Sequence, residues 1–154
     1  MVTTPPVSPG SVRGIDELLA AARTRLERLD AHQAYRAAES GALLVDIRYA
    51  ALRDRDGTIP GALVVERNEL EWRLDPLCDH RLPEAAHHGQ RIVVICNEGY
   101  ASSLAAASLQ ALGLHRATDL AGGFQAWRAA GLPVDPPGGT DRYDGPDRPA
   151  QSER

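Results

Sequence analysis

The sequence contains no lysine, and all 17 of its basic residues are arginine. That absence excludes Schiff-base chemistry and the lysine of a phosphate-binding loop. Cysteine is scarce too: Cys78 and Cys96 are the only two, without CxxC spacing. With no secretory leader visible in residues 1–10, a structural disulfide is not the expected use of the pair. His80, His87 and His88 lack finger-like spacing from both thiols, so no metal site is expected, and His87-His88 fits a solvated loop. No apolar run approaches the ~20 residues needed to span a bilayer. The net charge is -4, and no basic block or aromatic-interleaved basic stripe is visible, which argues against nucleic acid. Neither membrane nor nucleic acid is therefore an expected partner, and the expected location is cytoplasmic.

What is present suits one domain with a single core, at 43% hydrophobic and 25% charged residues over 154 positions. Residues 1–14, rich in proline, serine and threonine, are expected to form a disordered arm, and residues 135–154 a disordered tail. Between them, Ile15, Leu18, Leu19, Ala22 and Leu26 recur at helical spacing, predicting an extra N-terminal helix over 15–25 with one buried stripe, for packing or for a partner. Leu26 to Leu29 fits a short edge strand. Asp30 then reads as an N-cap, with Gln33 three residues on, for a helix to Glu39. Leu43 to Ile47, Ala62 to Val65, Arg91 to Ile95 and Ala117 to Leu120 read as further strands. Short helices are expected over 69–74, 102–112 and 124–130, with dense turn chemistry over 54–61 and a long surface connection over 75–90. Strands alternating with helices imply an α/β fold, a mostly parallel five-stranded sheet with helices on both faces.

Ligands in such sheets bind at the carboxyl ends of the strands, where Asp46, Arg48 and Cys96 all fall. Cys96 ends an apolar strand and is followed by Asn97, Glu98, Gly99, Tyr100, Ala101 and Ser102, which turn into an alanine-rich helix. Such a junction aims backbone N–H groups and the positive helix end at a thiolate or bound anion, so Cys96 is the candidate nucleophile. Glu98 opposes a thiolate if it points inward; it should point outward or be paired, with Arg48 the leading partner. Asp46 is expected to hold Arg48 or loop N–H groups. Trp72 and Trp127 fit packing roles, and Cys78 is the candidate resolving thiol.

Four stretches, Val45-Asp46-Ile47-Arg48, Gly57-Thr58-Ile59-Pro60-Gly61-Ala62, Cys96 through Ser102, and Gly122-Gly123-Phe124-Gln125-Ala126-Trp127 with Ala130 to Val134, together resemble a single-domain rhodanese. The likeness covers residues 26–134. Thr58 stands where the family often has histidine, and the loop lacks the basic residue many members carry near Ala101. The resemblance implies sulfur transfer through a persulfide on Cys96, without cofactor, from a small sulfur donor or protein persulfide to a thiol or protein acceptor. A non-catalytic protein-binding or regulatory module on the same fold is the alternative. Phosphatase or arsenate-reductase chemistry of the Cys-x5-Arg type needs an arginine fork where Ser102 stands.

Overall fold

The computed structural model describes residues 10–137. Residues 1–9 and 138–154, the outer parts of the two expected arms, lie outside the described residues.

The centre of the fold is the run Ile-Val-Val-Ile, which forms strand β3 (Ile92–Ile95) with all four residues buried. A β-branched run without charge tolerates cover on both faces. Strands β1 (Leu43–Asp46), β2 (Leu63–Val64) and β4 (Ala117–Asp119) join it in a parallel sheet of order β2-β1-β3-β4. Alternate side chains of β3 enter two cores. Ile92 and Val94, followed in the same parity by Cys96, pack with Leu70, Leu74, Ala105 and Leu109. Val93 and Ile95 pack with Ala34, Ala37, Phe124 and Trp127 on the other face. The first face is covered by helices α4 (Leu70–Leu74) and α5 (Ala101–Ala111), the second by α2 (Ala31–Glu39) and α6 (Gly123–Ala129). Helix α1 (Ile15–Arg23) lies on α5. No helix among the described residues is long and apolar enough to cross a membrane.

The α2 start is a capping box: Asp30 accepts from the Gln33 N–H at 2.8 Å, and the Gln33 side chain accepts from the Asp30 N–H at 2.9 Å. Trp127 is 2% exposed and donates its indole N–H to the Pro133 carbonyl at 2.8 Å, whereas Trp72 is 58% exposed.

Four expectations need correction. The fifth strand at 26–29 is reduced to one parallel bridge between Leu29 and Leu120. Leu26 N–H still bonds back to the end of α1 at Arg23, and Asp30 already caps α2, so too little chain is left between the helices for a strand. A helix α3 (Ala50–Asp56) stands where the sequence suggested only a turn from residue 54. Its charged sequence hid it, because its Arg53 is buried against the Arg48 carbonyl and Glu66. The α1 stripe is only partly buried: Leu19 is 8% exposed, but Ile15 and Leu18 are 59% and 43% exposed. Finally, Asp135 belongs to the ordered chain, pairing antiparallel with Thr58 through N–H to O bonds of 3.0 and 2.7 Å.

Candidate active site

Strand β3 ends at Ile95, so the next residue, Cys96, leaves the sheet at its carboxyl edge while remaining only 7% exposed. The chain then curls around its sulfur. The Gly99 N–H lies 3.1 Å and the Ser102 N–H 3.3 Å from Cys96 Sγ. Ser102 is in the first turn of α5, where backbone N–H groups have no partner within the helix and carry its positive end.

The loop keeps its N–H groups inward because its carbonyls are tied outward. The Cys96 carbonyl accepts from Phe124 N–H at 2.8 Å and the Asn97 carbonyl from Gln125 N–H at 3.1 Å, both at the start of α6. The Gly99 carbonyl accepts from two guanidinium groups, Arg28 at 2.7 Å and Arg23 at 2.9 Å. This close approach requires glycine. Gly99 has φ +88°, and a Cβ there would sit 2.6 Å from the Gly122 nitrogen. A Cβ on Gly123 would sit 2.5 Å from the Cys96 carbonyl oxygen.

Behind the loop stands Asp119, the last residue of β4, fully buried. Its Oδ2 accepts from the hydroxyls of Ser102 and Ser103, each at 2.8 Å, and its carboxylate takes Arg28 at 3.0 and 3.1 Å. Arg23 completes the net by donating to Ser103 Oγ at 2.9 Å. Sequence reasoning named neither Asp119 nor the two arginines. The usable signal was the rule that found Asp46, a charged residue closing a buried strand.

Asp46 does hold Arg48: the guanidinium donates to both carboxylate oxygens at 2.7 to 3.1 Å, and the Arg48 N–H adds a bond of 2.9 Å. Arg48 also donates to the Gly57 carbonyl at 2.8 Å and stacks 3.7 Å over the Phe124 ring. Arg48 is not the partner of Glu98: its side chain is fully buried between Asp46, the Gly57 carbonyl and the Phe124 ring. Glu98 is exposed instead, with no ion pair among the described residues.

Cys96 opens on a cavity of about 350 Å³ lined by Ile47, Tyr49, Leu52, Tyr100 and Ala101, with Asn97, Glu98, Arg48 and Arg67 as its polar members. Tyr49 and Tyr100 are 76% and 59% exposed and stand at its mouth. Arg67 is held by Glu71, which also accepts from Ser108. Burial pushes the Glu71 carboxyl up, but hydrogen bonds from Ser108 and Arg67 outweigh it and leave the group below the usual range. On the other side, Asn97 Oδ1 accepts from Gln125 at 2.9 Å, and Gln125 also donates to Asp56 at 3.0 Å. Asp56 is held well below the usual carboxylate range, first by the Arg55 hydrogen bond and further by Gln125 and Arg128, against desolvation. Cys78 lies on the connection after α4, accepts from the His80 N–H at 3.4 Å and does not line the cavity. Among the described residues, no three His, Cys, Asp or Glu side chains gather as metal ligands.

Comparison with known proteins bears on the family and the fold. The family model of the rhodanese-like domain matches residues 30–130. A sulfurtransferase of Allochromatium vinosum is 36% identical over 97 residues, covering 63% of this chain and 81% of the relative. A solved structure from Rhodopseudomonas palustris, a protein of unknown function described as a possible tyrosine phosphatase, superposes with TM-score 0.72 and 34% identity. It covers 84% of this chain and 100% of that one. A rhodanese-related protein of Thermoplasma volcanium gives TM-score 0.57 at 25% identity, over 70% and 96% of the two chains. The chain, with a cysteine loop at the carboxyl edge of its parallel sheet, belongs to the single-domain rhodanese-like family.

Proposed function

We propose that the protein is a sulfurtransferase that carries a sulfane sulfur as a persulfide on Cys96. The observation that carries this reading is the sulfur of Cys96 receiving the Gly99 and Ser102 N–H groups at the floor of an open cavity. Hydrogen bonds to an anionic sulfur favour it over the neutral form, both as thiolate and as persulfide. In the first step the Cys96 thiolate attacks the outer sulfur of a donor R–S–SH. The donor S–S bond breaks, R–S⁻ leaves, and Cys96 becomes a persulfide. In the second step a thiol or protein thiolate attacks the terminal sulfur, the Cys96–S bond to it breaks, and the Cys96 thiolate is restored. Oxidation states balance without an added cofactor.

The cavity walls favour one class of donor over another. Glu98 has no ion pair among the described residues, while Arg48 and Arg67 are already bonded to Asp46 and Glu71. A dianion such as thiosulfate meets little free positive charge there, whereas a small organic or protein persulfide meets apolar side chains and two tyrosines. The reading is tested by sulfide release from an organic persulfide in excess thiol, where one thiol takes the sulfur from Cys96 and a second attacks the acceptor persulfide, giving a disulfide and sulfide. Turnover that disappears in Cys96→Ser supports it; equal turnover in that variant refutes it.

Phosphatase chemistry, suggested for the Rhodopseudomonas relative, is disfavoured by the loop. The position six residues after Cys96 is Ser102, its hydroxyl bonded to Asp119, so no guanidinium fork faces the sulfur from within the loop. The second reading, a protein-binding module, rests on the exposed Ile15 and Leu18 of α1.

A further inference from the structure

The segment before the matched family region reaches the loop, although helix α1 ends at Arg23 and the family match begins at residue 30. Arg23 donates to Ser103 Oγ at 2.9 Å and to the Gly99 carbonyl at 2.9 Å, and its guanidinium lies 5.9 Å from the Tyr100 ring centroid. Arg28 donates to the same carbonyl at 2.7 Å while paired to buried Asp119. A carbonyl oxygen has two lone pairs, and at Gly99 both acceptor sites are taken by guanidinium donors. They fix the plane of the Gly99–Tyr100 peptide, which lies between the Gly99 and Ser102 N–H groups that face the sulfur. They also place two positive charges, only one of them matched by Asp119, behind a loop whose own sequence has none.

We propose that Arg23 and Arg28 are positioning residues for sulfur transfer: Arg23, at the end of α1, and Arg28, in the segment that follows it, supply from behind the charge and the carbonyl anchors that keep the loop N–H groups turned toward the Cys96 sulfur. This rests on the persulfide reading of Cys96 for its purpose, but not for its test. Helix α1 is then a working part of the active site, and loosening it lowers the reactivity of the thiol although Arg23 itself does not line the cavity.

Arg23→Met keeps the length and packing of the side chain and removes both donors. Arg23 is half-buried at the surface, so the variant is expected to fold, and thermal unfolding checks this. The readout is the rate of Cys96 alkylation across pH, resolved at the peptide level from Cys78. Losing one charged anchor is expected to slow alkylation at neutral pH roughly fivefold and to move the rise of the rate with pH to more alkaline values. Arg23→Lys, which keeps the charge and one donor, is expected to recover part of the rate. An Arg23→Met profile superimposable on wild type in a folded protein overturns the proposal. So does a uniform slowing with no shift along the pH axis, since a merely structural contact would give that. Because alkylation needs no sulfur donor, failure of the persulfide reading shows separately, as absence of sulfur uptake by the wild-type protein.

Discussion

Two carboxylates flank the central strand at the same edge of the sheet, Asp46 closing β1 and Asp119 closing β4, and both are fully buried. Each is paired with an arginine, yet they hold different things. Asp46 takes a partner two residues along the chain and locks Arg48 between the Gly57 carbonyl and the Phe124 ring, a wall of the fold. Asp119 takes partners 16, 17 and 91 residues away and ties Ser102, Ser103 and Arg28 to the back of the cysteine loop. Similar chemistry therefore holds a wall of the fold at one position and the back of the Cys96 loop at the other. The pair also differs in solvent access: Arg48 is fully buried, whereas the Arg28 side chain is 23% exposed.

The sharpest way to separate the two roles is to delete each carboxylate. Asp46→Ala leaves a buried guanidinium uncompensated and is expected to lose about 3–5 kcal/mol in urea unfolding. In the protein that remains folded, Cys96 alkylation should stay close to wild type. Asp119→Ala is expected to lose about 3 kcal/mol, less because Arg28 can turn to water. Its larger effect falls on the loop, where Cys96 alkylation at neutral pH should drop on the order of tenfold as both serine hydroxyls and Arg28 lose their anchor. If both variants slow alkylation equally, the division between the carboxylates is wrong. Gly99→Ala tests the loop backbone directly. A Cβ at φ +88°, 2.6 Å from the Gly122 nitrogen, strains or displaces the turn, with an expected loss of about 1–3 kcal/mol. Slower Cys96 alkylation should accompany it.

The smallest expected effect is at Asp56, on the far side of Asn97. Its folded-state carboxyl titrates below the unfolded value of about 3.9, mainly through Arg55. Its contribution to stability is therefore present above that value and lost as pH falls through the lower, folded one. Asp56→Asn should melt at a lower temperature than wild type at neutral pH, with the gap closing in acid. A constant gap at every pH would assign the effect to packing.

The contrast between the two carboxylates also shows what the sequence made legible. Asp46 with Arg48 was readable because its partner is local, and the strand, cysteine loop and helix order followed from periodicity and turn chemistry. The net around Asp119 was not readable, because it joins α1, β4 and α5 across long separations that only the packed fold defines. Helix α3 was missed for a related reason. Its charged residues look like a solvated turn until Arg53 is seen buried against the Arg48 carbonyl. The edge strand at 26–29 failed because capping of α2 at Asp30 competes for the same residues. Glu98 was expected to point outward or to pair with Arg48; it is exposed, and the buried Arg48 is held by Asp46 and the Gly57 carbonyl.

The central claim, that Cys96 carries the transferred sulfur, is tested most directly by intact mass after incubation with an organic persulfide and, separately, with thiosulfate. The account predicts a gain of one sulfur atom, larger in yield with the organic donor, removed by a reducing thiol and absent in Cys96→Ser. No gain with either donor, or an equal gain in Cys96→Ser, would contradict it.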